Sequence, residues 1–398
     1  MTTAIIITLC VLLLLAYVFD LTSAKTRIPS VILLLLLGWG AKQLVGYGGF
    51  TMPNLTPVLP ILGTIGLILI VLEGALELEL DKSKMQLVRR SFVVALVPMV
   101  VLGFGLAFLF QYYGGGTLQI NLLNAIPLCV ISSAIAIPSV KNQTAATREF
   151  IIYESSLSDI LGVLFFNFLA FNAVINLPSV GYFGLNMVII IAISFIATLG
   201  LAWLLGKIQH HVKFAPIILL IVLIYAISKI YHLPGLIFIL IFGLFIGNLD
   251  VLAPRLKWIE KLNPTALDAE VKRFKEITTE ATFLIRALFF LLFGFLIETN
   301  ELLNLQTLAW AVGIVAAIFA LRAVQLKLSK LPLMPYLYVA PRGLITILLF
   351  LSLDAGQQIL LVTKSLIIQV IILSALFMMV GLMGKKKEDE ALPPQVGH

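Results

Sequence analysis

The sequence predicts an all-α polytopic membrane protein with about thirteen transmembrane helices, on three observations. Only 12% of the 398 residues are charged, whereas a soluble domain carries about 25%. Mean hydropathy is +1.09. Apolar runs of about 20 residues, long enough to cross roughly 30 Å of hydrocarbon, recur along the chain. Because hydrocarbon offers the backbone no hydrogen-bond partners, we expect these runs to be helices.

Thirteen apolar segments are predicted to span the membrane, and short connections join most of them. They lie at about 3–19, 28–45, 58–79, 91–112, 122–140, 149–173, 183–209, 214–231, 234–249, 280–298, 305–326, 336–352 and 361–384. A longer connection follows the ninth span. Asn263 and Pro264 start a helix there, and apolar residues then recur at helical spacing. This pattern predicts an interfacial linker helix at about 262–279. One transmembrane domain, 1–384, is expected, with a disordered cytoplasmic tail at 385–398.

Lysine and arginine are distributed unevenly between the two sides that this topology creates. The odd-numbered connections and the C-terminal tail hold nearly all of them, whereas the even-numbered connections hold only Lys42 and Lys229. By the positive-inside rule, the N-terminus is external and the C-terminus cytoplasmic, in the cell (inner) membrane. The net charge of +7 follows from this topology and requires no nucleic-acid partner.

Seven of the charged residues inside the predicted spans are singled out, four basic residues and the three acids at depth. They are Glu73, Glu154, Asp159, Arg286, Arg322, Arg342 and Lys364. Charges inside a membrane are costly and face the protein interior, so each is a candidate for function. Arg286 and Lys364 lie close to the starts of their helices, where structural ion pairs are expected. For Asp159, Arg322 and Arg342 a functional role is favoured, and for the two glutamates both interpretations stay open.

An internal repeat links two parts of the chain. Span 3 ends in "VLEGALELELDKSKMQL" and span 10 in "LLFGFLIETNELLNLQTL". Each has a glycine (Gly74 and Gly294), a leucine two residues on, an acidic stretch and then another span. The offset of seven spans is odd, so the two copies would be inverted across the membrane. Inverted repeats of this kind are typical of secondary transporters, and the repeat pairs span 5 with span 12.

Spans 5 and 12 both contain helix breakers. Span 5 reads "LCVISSAIAIPSVKN", with Ser132–Ser133 followed by Pro138, and span 12 reads "YLYVAPRGLITILLF", with Pro341 and Gly343 on either side of Arg342. Proline removes a helix hydrogen bond, and unwound backbone is tolerated at membrane depth only inside the protein or along a cavity. We therefore predict two crossed broken helices, with Arg342 offsetting the negative helix ends.

Four stretches resemble the monovalent cation:proton antiporter superfamily, the sodium/proton exchangers. "YESSLSDILGVLFF" resembles the family's "ESLLND" helix, and "VAPRGLITI" resembles its Arg-Gly motif on the second broken helix. "IFALRAVQLKL" is similar to the preceding helix, whose basic residue faces the ion site, and "LILIVLEGALELEL" to the third helix. The match follows the order of spans 3 to 13. It implies the sodium/proton antiporter fold.

The resemblance assigns roles to individual residues. Asp159 matches the aspartate that binds both the ion and the proton. Arg322 matches the basic residue, which is arginine in electroneutral members and lysine in electrogenic ones. Glu73 matches a glutamate that supplies an ion ligand in some members. Two positions depart from the family: Ser158 replaces an asparagine or a second aspartate, and Ser132–Ser133 replaces a Thr-Asp pair. These departures bear on which cation is selected.

Helical spacing separates the polar side chains of "YESSLSD" into two faces. Ser155 and Asp159 are four residues apart and share one face, while Glu154 and Ser158 share a neighbouring face. The first face can supply oxygens to a hard cation, and the second can place Glu154 against Arg322. Asp159 is then left without a permanent partner. A carboxylate that holds either a proton or a cation, but never both, gives exchange by competition.

The sequence therefore predicts a secondary transporter that exchanges a monovalent cation, sodium, for protons. We expect electroneutral exchange by alternating access, with Ser132, Ser133, Ser155, Ser158 and Glu73 around Asp159. Core spans within 58–173 and 280–384 would move against scaffold spans within 1–57 and 214–249. The resemblance implies that the scaffold forms a homodimer. No cofactor and no enzymatic activity are expected.

Three alternatives stay open. A potassium/proton antiporter would use the same fold. A sodium-coupled symporter of an organic anion also uses crossed broken helices, but it would need further polar residues in both breaks, where span 12 offers only Arg342, Thr346 and backbone. A channel would need a continuous polar pathway.

Overall fold

The structure is a computed structural model that describes residues 2–26, 28–47, 54–78, 84–172, 177–207, 214–231, 233–252, 264–354 and 356–383. Helices, turns and extended connections make up this part of the chain, and no strand occurs in it. The all-α prediction is therefore confirmed. The predicted tail at 385–398, and the first two residues of the predicted linker helix, lie outside the described residues.

Helical segments follow one another along the whole described chain. They are α1 (Thr2–Thr26), α2 (Ser30–Tyr47), α3 (Val58–Glu77), α4 (Met85–Gly114), α5 (Leu118–Cys129), α6 (Ser133–Ser139), α7 (Ala145–Phe171), α8 (Leu177–Lys207), α9 (Phe214–Ile230), α10 (Leu236–Gly247), α11 (Leu249–Leu252), α12 (Pro264–Leu296), α13 (Thr299–Leu302), α14 (Leu305–Leu328), α15 (Leu344–Leu351) and α16 (Lys364–Met383).

Nine stretches of the described chain are long and apolar enough to cross a membrane. They are α2, α3, α4, α5 together with α6, α7, the 181–204 part of α8, the 269–296 part of α12, α14 and α16. The apolar parts of α1, α9 and α10 are shorter, and α15 has only eight residues. The chain is thus a multi-pass membrane protein, while the count of thirteen spans stays a prediction.

Side-chain caps define the starts of the two helices that lead into the candidate site. The Thr117 hydroxyl accepts a hydrogen bond from the amide of Ile120 at the start of α5. The Thr144 hydroxyl accepts one from the amide of Thr147 at the start of α7. Each satisfies an amide that has no partner within its own helix. The starting points of α5 and α7 are therefore set by local sequence.

The described helices pack in two groups. The scaffold group consists of α1, α2, α3, α8, α9, α10 and α12, and the core group consists of α4, α5, α6, α7, α14 and α16. Helix α15 lies between them and packs on α3 and α5. The polar side chains of the candidate site come mainly from the core group.

Glycines allow the closest approaches inside the scaffold group. A Cβ atom at Gly38 of α2 would collide with the backbone of α12, and one at Gly294 of α12 would collide with the backbone of α2. A Cβ at Gly247, the last residue of α10, would lie 2.7 Å from the Leu76 carbonyl oxygen of α3. Small residues let helix backbones come together and gain van der Waals contact in a membrane protein. The contacts of Gly38 and Gly294 join α2 to α12, and the contact of Gly247 joins α10 to α3.

The structure differs from the predicted division in two respects. The sequence predicts α3 and α12 as part of the core, but they pack chiefly on α2 and α10 through the glycine contacts. The predicted linker helix at 262–279 is the first half of α12, which runs without interruption from Pro264 to Leu296. No glycine or proline follows Pro264 inside it until Gly294, so nothing in the local sequence ends the helix between the two predicted elements.

Candidate functional site

Two interrupted helices meet in the interior of the protein. Helix α5 ends at Cys129 and α6 begins at Ser133, so Val130 to Ser132 are extended. The chain before α15 is likewise non-helical up to Gly343. The Ser132 amide donates a hydrogen bond of 2.9 Å to the Pro341 carbonyl oxygen, which joins the two interruptions directly. A Cβ at Gly343 would lie 2.7 Å from the Ser132 hydroxyl oxygen, so glycine permits this close crossing.

The first interruption does not lie at Pro138, which the sequence predicts as one of its causes. Pro138 is inside α6, and Pro127 is inside α5. The chain instead unwinds at Val130 to Ser132, where its amides find partners outside their own helix. Ile131 donates to the Ser158 hydroxyl at 3.0 Å, and Ser132 donates to Pro341. The predicted span at 336–352 is α-helical only from Leu344.

Asp159 lies beside this crossing and is buried, with 1% of its surface exposed. Its Oδ2 atom accepts hydrogen bonds from the Ser133 hydroxyl and, at 3.4 Å, from the Ser133 amide. Its Oδ1 atom has no hydrogen-bond partner among the described residues. The Ser132 hydroxyl oxygen, also buried, has none in the same part of the chain. The crossing therefore holds a carboxylate oxygen and a hydroxyl oxygen with unused coordinating capacity.

The serines on α7 divide into two roles. The Ser155 hydroxyl, one turn before Asp159, donates to the Ile151 carbonyl oxygen at 2.7 Å, which leaves its oxygen able to coordinate a ligand. Ser158, the position that departs from the family, accepts the Ile131 amide and so holds the unwound chain in place. Of the four predicted serines, Ser133 contacts Asp159 directly, whereas Ser132, Ser155 and Ser158 as ion ligands stay predictions.

Glu154 and Arg322 form a buried ion pair between α7 and α14. Arg322 donates to Glu154 through both terminal nitrogens, at 2.6 and 2.9 Å, and through Nε to the Tyr336 carbonyl oxygen at 2.7 Å. This confirms the pair that the helical spacing predicts. Because Glu154 occupies both terminal nitrogens of Arg322, that guanidinium is not left over to neutralise Asp159.

Arg342 donates hydrogen bonds to backbone carbonyl oxygens at the crossing. Its Nε atom donates to the Leu128 carbonyl oxygen at 2.7 Å, in the last turn of α5, and Nη1 donates to the Ala340 carbonyl oxygen at 2.8 Å. Carbonyls at a helix C-terminus carry partial negative charge, and a nearby cation stabilises them. This is the contact expected of Arg342. The Ser374 hydroxyl, which accepts the Arg342 amide at 3.0 Å, is a supporting residue that the sequence did not single out.

Glu73 is not part of the contacts described around Asp159. Its carboxylate lies near Thr279 and Arg286 of α12. Its neighbour Gly74 faces Ser156 of α7. The local sequence places Glu73 at the depth in the membrane expected of an ion ligand. The packing of α3 on α12, however, places neighbours from α12 beside its carboxylate. Glu73 as an ion ligand stays a prediction.

Lys364 makes the structural contacts expected near a helix end, since α16 begins there, whereas Arg286 lies well inside α12, which begins at Pro264. Lys364 donates to the Leu296 carbonyl oxygen at the end of α12 at 3.1 Å and pairs with Glu301 at 3.0 Å. Arg286 approaches Asp20 of α1 at 4.0 Å. Asp20 lies just past the predicted end of span 1, so it is not among the charges predicted inside the spans.

Two interrupted helices that cross beside a buried carboxylate define a secondary transporter for ions. The chain belongs to the family described as "Sodium/hydrogen exchanger, transmembrane", whose model matches residues 10–385. It is a cation/proton antiporter and not an enzyme, and its substrates are a cation and the proton. The recognised family and the antiporter fold are therefore confirmed.

Solved structures show the same fold. The sodium proton antiporter MjNhaP1 from Methanocaldococcus jannaschii at pH 8 matches with a TM-score of 0.68 and 20% sequence identity, covering 96% of this chain and 98% of that chain. An electron-microscopy structure of MjNhaP1 from the same organism matches with a TM-score of 0.64 and 20% identity, covering 96% and 95%. No curated protein sequence matches the chain.

Proposed function

We propose that this chain exchanges sodium ions for protons, one for one, by alternating access across the cell membrane. The observation that carries the proposal is the state of Asp159. It is buried at the crossing, one of its carboxylate oxygens has no partner among the described residues, and the nearby Arg322 is occupied by Glu154. Such a carboxylate can be satisfied in turn by a proton or by a cation.

Competition for Asp159 provides the coupling. When a cation is bound, the ionised Asp159 and the hydroxyl oxygens of Ser155 and Ser132 supply the oxygen ligands that a hard cation prefers. When a proton is bound, the cation loses its charged ligand and leaves. Ser133 hydrogen-bonds to Asp159 and keeps the carboxylate oriented toward the crossing. Asp159 binds the cation and the proton in turn. Each movement of the site across the membrane therefore carries either the cation or the proton, but not both.

A cavity approaches this site from one end of the molecule. It has a volume of about 450 Å³ and lies between α7 and α15 on one side and α3, α9 and α10 on the other. Its lining includes Val163, four residues and thus about 6 Å along the helix from Asp159. Movement of the core group against the scaffold group would close this path and open another. In the proposed orientation the N-terminus is external, the C-terminus is cytoplasmic, and the scaffold group forms a homodimer.

The organic-anion symporter is less well supported by this geometry. Its substrate would need free donors in both breaks. Arg342, the one charged donor of the second break, already donates to the Leu128 and Ala340 carbonyl oxygens. A monovalent cation needs only oxygen ligands, which the crossing has.

Proteoliposomes with a trapped pH dye test the exchange. An inward gradient of sodium, lithium or potassium is imposed in turn, without any organic substrate. We expect sodium to raise the lumenal pH because each entering sodium ion drives one proton out. A response to potassium alone would replace sodium with potassium in the proposal. No response to any of the three cations would contradict cation/proton exchange.

The one-for-one stoichiometry makes a separate prediction. Glu154 is held by Arg322, and a guanidinium does not release its proton in a protein, so Asp159 is the group proposed to carry exchangeable charge. We expect the reversal point of exchange to stay constant when the membrane voltage is clamped at positive or negative values with fixed ion and pH gradients. Each net charge crossing 100 mV is worth about 2.3 kcal/mol, so an electrogenic exchanger would shift strongly. A shift would indicate a second proton carrier, with Glu73 the first residue to replace.

A further inference from the structure

Asp20 joins three parts of the chain at one end of the molecule. Its Oδ2 atom lies 3.4 Å from the Lys141 ammonium nitrogen, and its Oδ1 atom lies 4.0 Å from an Arg286 terminal nitrogen. The Ser30 hydroxyl also donates to Oδ1, at 3.5 Å. The Asp20 side chain is 19% exposed, and the Lys141 side chain is 56% exposed. A partly buried carboxylate thus holds an exposed lysine.

These contacts do not all lie on the same side of the boundary between the groups. Asp20 on α1, Ser30 on α2 and Arg286 on α12 belong to the scaffold group, so Ser30 and Arg286 fix the carboxylate within it. Lys141 lies in the turn between α6 and α7 of the core group. The Asp20–Lys141 ion pair therefore crosses the boundary, and it is the contact of Asp20 that a movement of the core against the scaffold would break.

The opposite end of the molecule holds the cavity. The 450 Å³ cavity separates the two groups there, and its lining includes Lys229 of α9 and Asp354 just after α15. Within the described residues, Lys42 pairs with Glu298 and Lys364 pairs with Glu301 at this end, whereas neither Lys229 nor Asp354 has an ion pair. At this end Lys364 of α16 also reaches the Leu296 carbonyl oxygen of α12, but no ion pair among the described residues crosses the boundary at the cavity itself. The Asp20–Lys141 ion pair, by contrast, crosses the boundary at the end that carries Lys141.

We propose that Asp20 and Lys141 are positioning residues of the transport cycle. Their ion pair holds the core group to the scaffold group at one end while the cavity at the other end is open, and it breaks when that cavity closes. The proposal rests on alternating access, as proposed above. An exposed pair of this kind biases an equilibrium by up to about fivefold. A weak contact suits this role because a transporter must pass through both states in every cycle.

Cysteine labelling tests the proposal without measuring transport. Asn167→Cys places a thiol in the cavity, in a background of Cys10→Ser and Cys129→Ser. Its rate of reaction with a charged, membrane-impermeant methanethiosulfonate reports how often the cavity is open. We expect Lys141→Gln to lower this rate by up to about fivefold, Lys141→Glu to lower it further through repulsion from Asp20, and Lys141→Arg to restore it. High salt should reduce the difference between Lys141 and Lys141→Gln.

A matched control is available at the same end of the molecule. Glu149→Gln removes the ion pair of 2.8 Å between Lys84 and Glu149, which joins the N-terminal ends of α4 and α7 inside the core group. This variant should label at the unchanged rate because its contact does not cross the boundary. Equal labelling of Lys141→Gln and the parent chain would overturn the proposal, as would an equal effect of Glu149→Gln.

The labelling result can be separated from the exchange itself. If Lys141→Gln lowers the labelling rate but the parent chain moves no protons in proteoliposomes, cation/proton exchange fails and the positioning role stands. If the parent chain exchanges sodium for protons but its labelling does not depend on Lys141, the positioning role alone fails. Equal melting temperatures of Lys141→Gln, Lys141→Arg and the parent chain would show that a folding defect does not cause the change.

Discussion

A chain carrying Asp159→Asn is expected to fold normally and to show no cation-driven proton flux in proteoliposomes. Asparagine has nearly the same size and can accept the Ser133 hydrogen bonds that Asp159 accepts. It cannot ionise, so it can neither release a proton nor provide the charge that a bound cation requires. Flux should fall to the level of empty vesicles.

Glu149→Gln is the matched control for Asp159→Asn. It removes a carboxylate from the same helix, but Glu149 pairs with Lys84 near the start of α7 and lies about 15 Å along the helix from Asp159. This variant should keep its flux. Flux near the parent level in Asp159→Asn, with the protein intact by size-exclusion chromatography, would remove Asp159 from the mechanism.

The second large effect is expected on stability, from the ion pair between Glu154 and Arg322. Both side chains are buried, and the pair has two hydrogen bonds of 2.6 and 2.9 Å. Removing one partner strands the other charge inside the protein, which costs about 3–5 kcal/mol, whereas removing both costs less. Arg322→Ala should therefore lower the melting temperature in detergent more than Arg322→Ala combined with Glu154→Ala.

The double variant is not expected to regain the stability of the parent chain. Arg322 also donates to the Tyr336 carbonyl oxygen, and that acceptor loses its partner in both variants. Glu149→Gln again serves as the control, because a partly exposed pair contributes only about 0–1 kcal/mol. If the effects of Arg322→Ala and Glu154→Ala simply add, the two residues do not stabilise each other, and Arg322 would be free to act on Asp159.

Local sequence was sufficient where the relevant physics is local. The apolar runs and their length predict membrane helices because hydrocarbon leaves the backbone no other way to satisfy its hydrogen bonds. The four-residue spacing on α7 predicts that Ser155 and Asp159 share a face, because residues four apart are neighbours on any α-helix. The same spacing predicts an ion pair between Glu154 and Arg322, because two opposite charges inside a membrane are costly when they are unpaired.

The packing between distant segments could not be predicted from local sequence. Pro138 is an obvious helix breaker, yet the chain unwinds at Val130 to Ser132, because Ser158 and Pro341 lie where they can accept its amides. Glu73 has the depth of an ion ligand, yet it lies near Thr279 and Arg286 on α12. Which group satisfies a buried donor or acceptor depends on which helix lies next to it.

The sequence by itself determined the class of protein, the faces of α7 and the residues that carry charge into the membrane. These follow from hydrophobicity, helical period and the cost of burying charge, which act on neighbouring residues. Only the tertiary structure decided where the helices break, which group α3 and α12 join, and that Asp20 reaches Lys141 across 121 positions of the chain. Those features depend on glycine contacts and hydrogen bonds between segments far apart in sequence, so no local pattern encodes them.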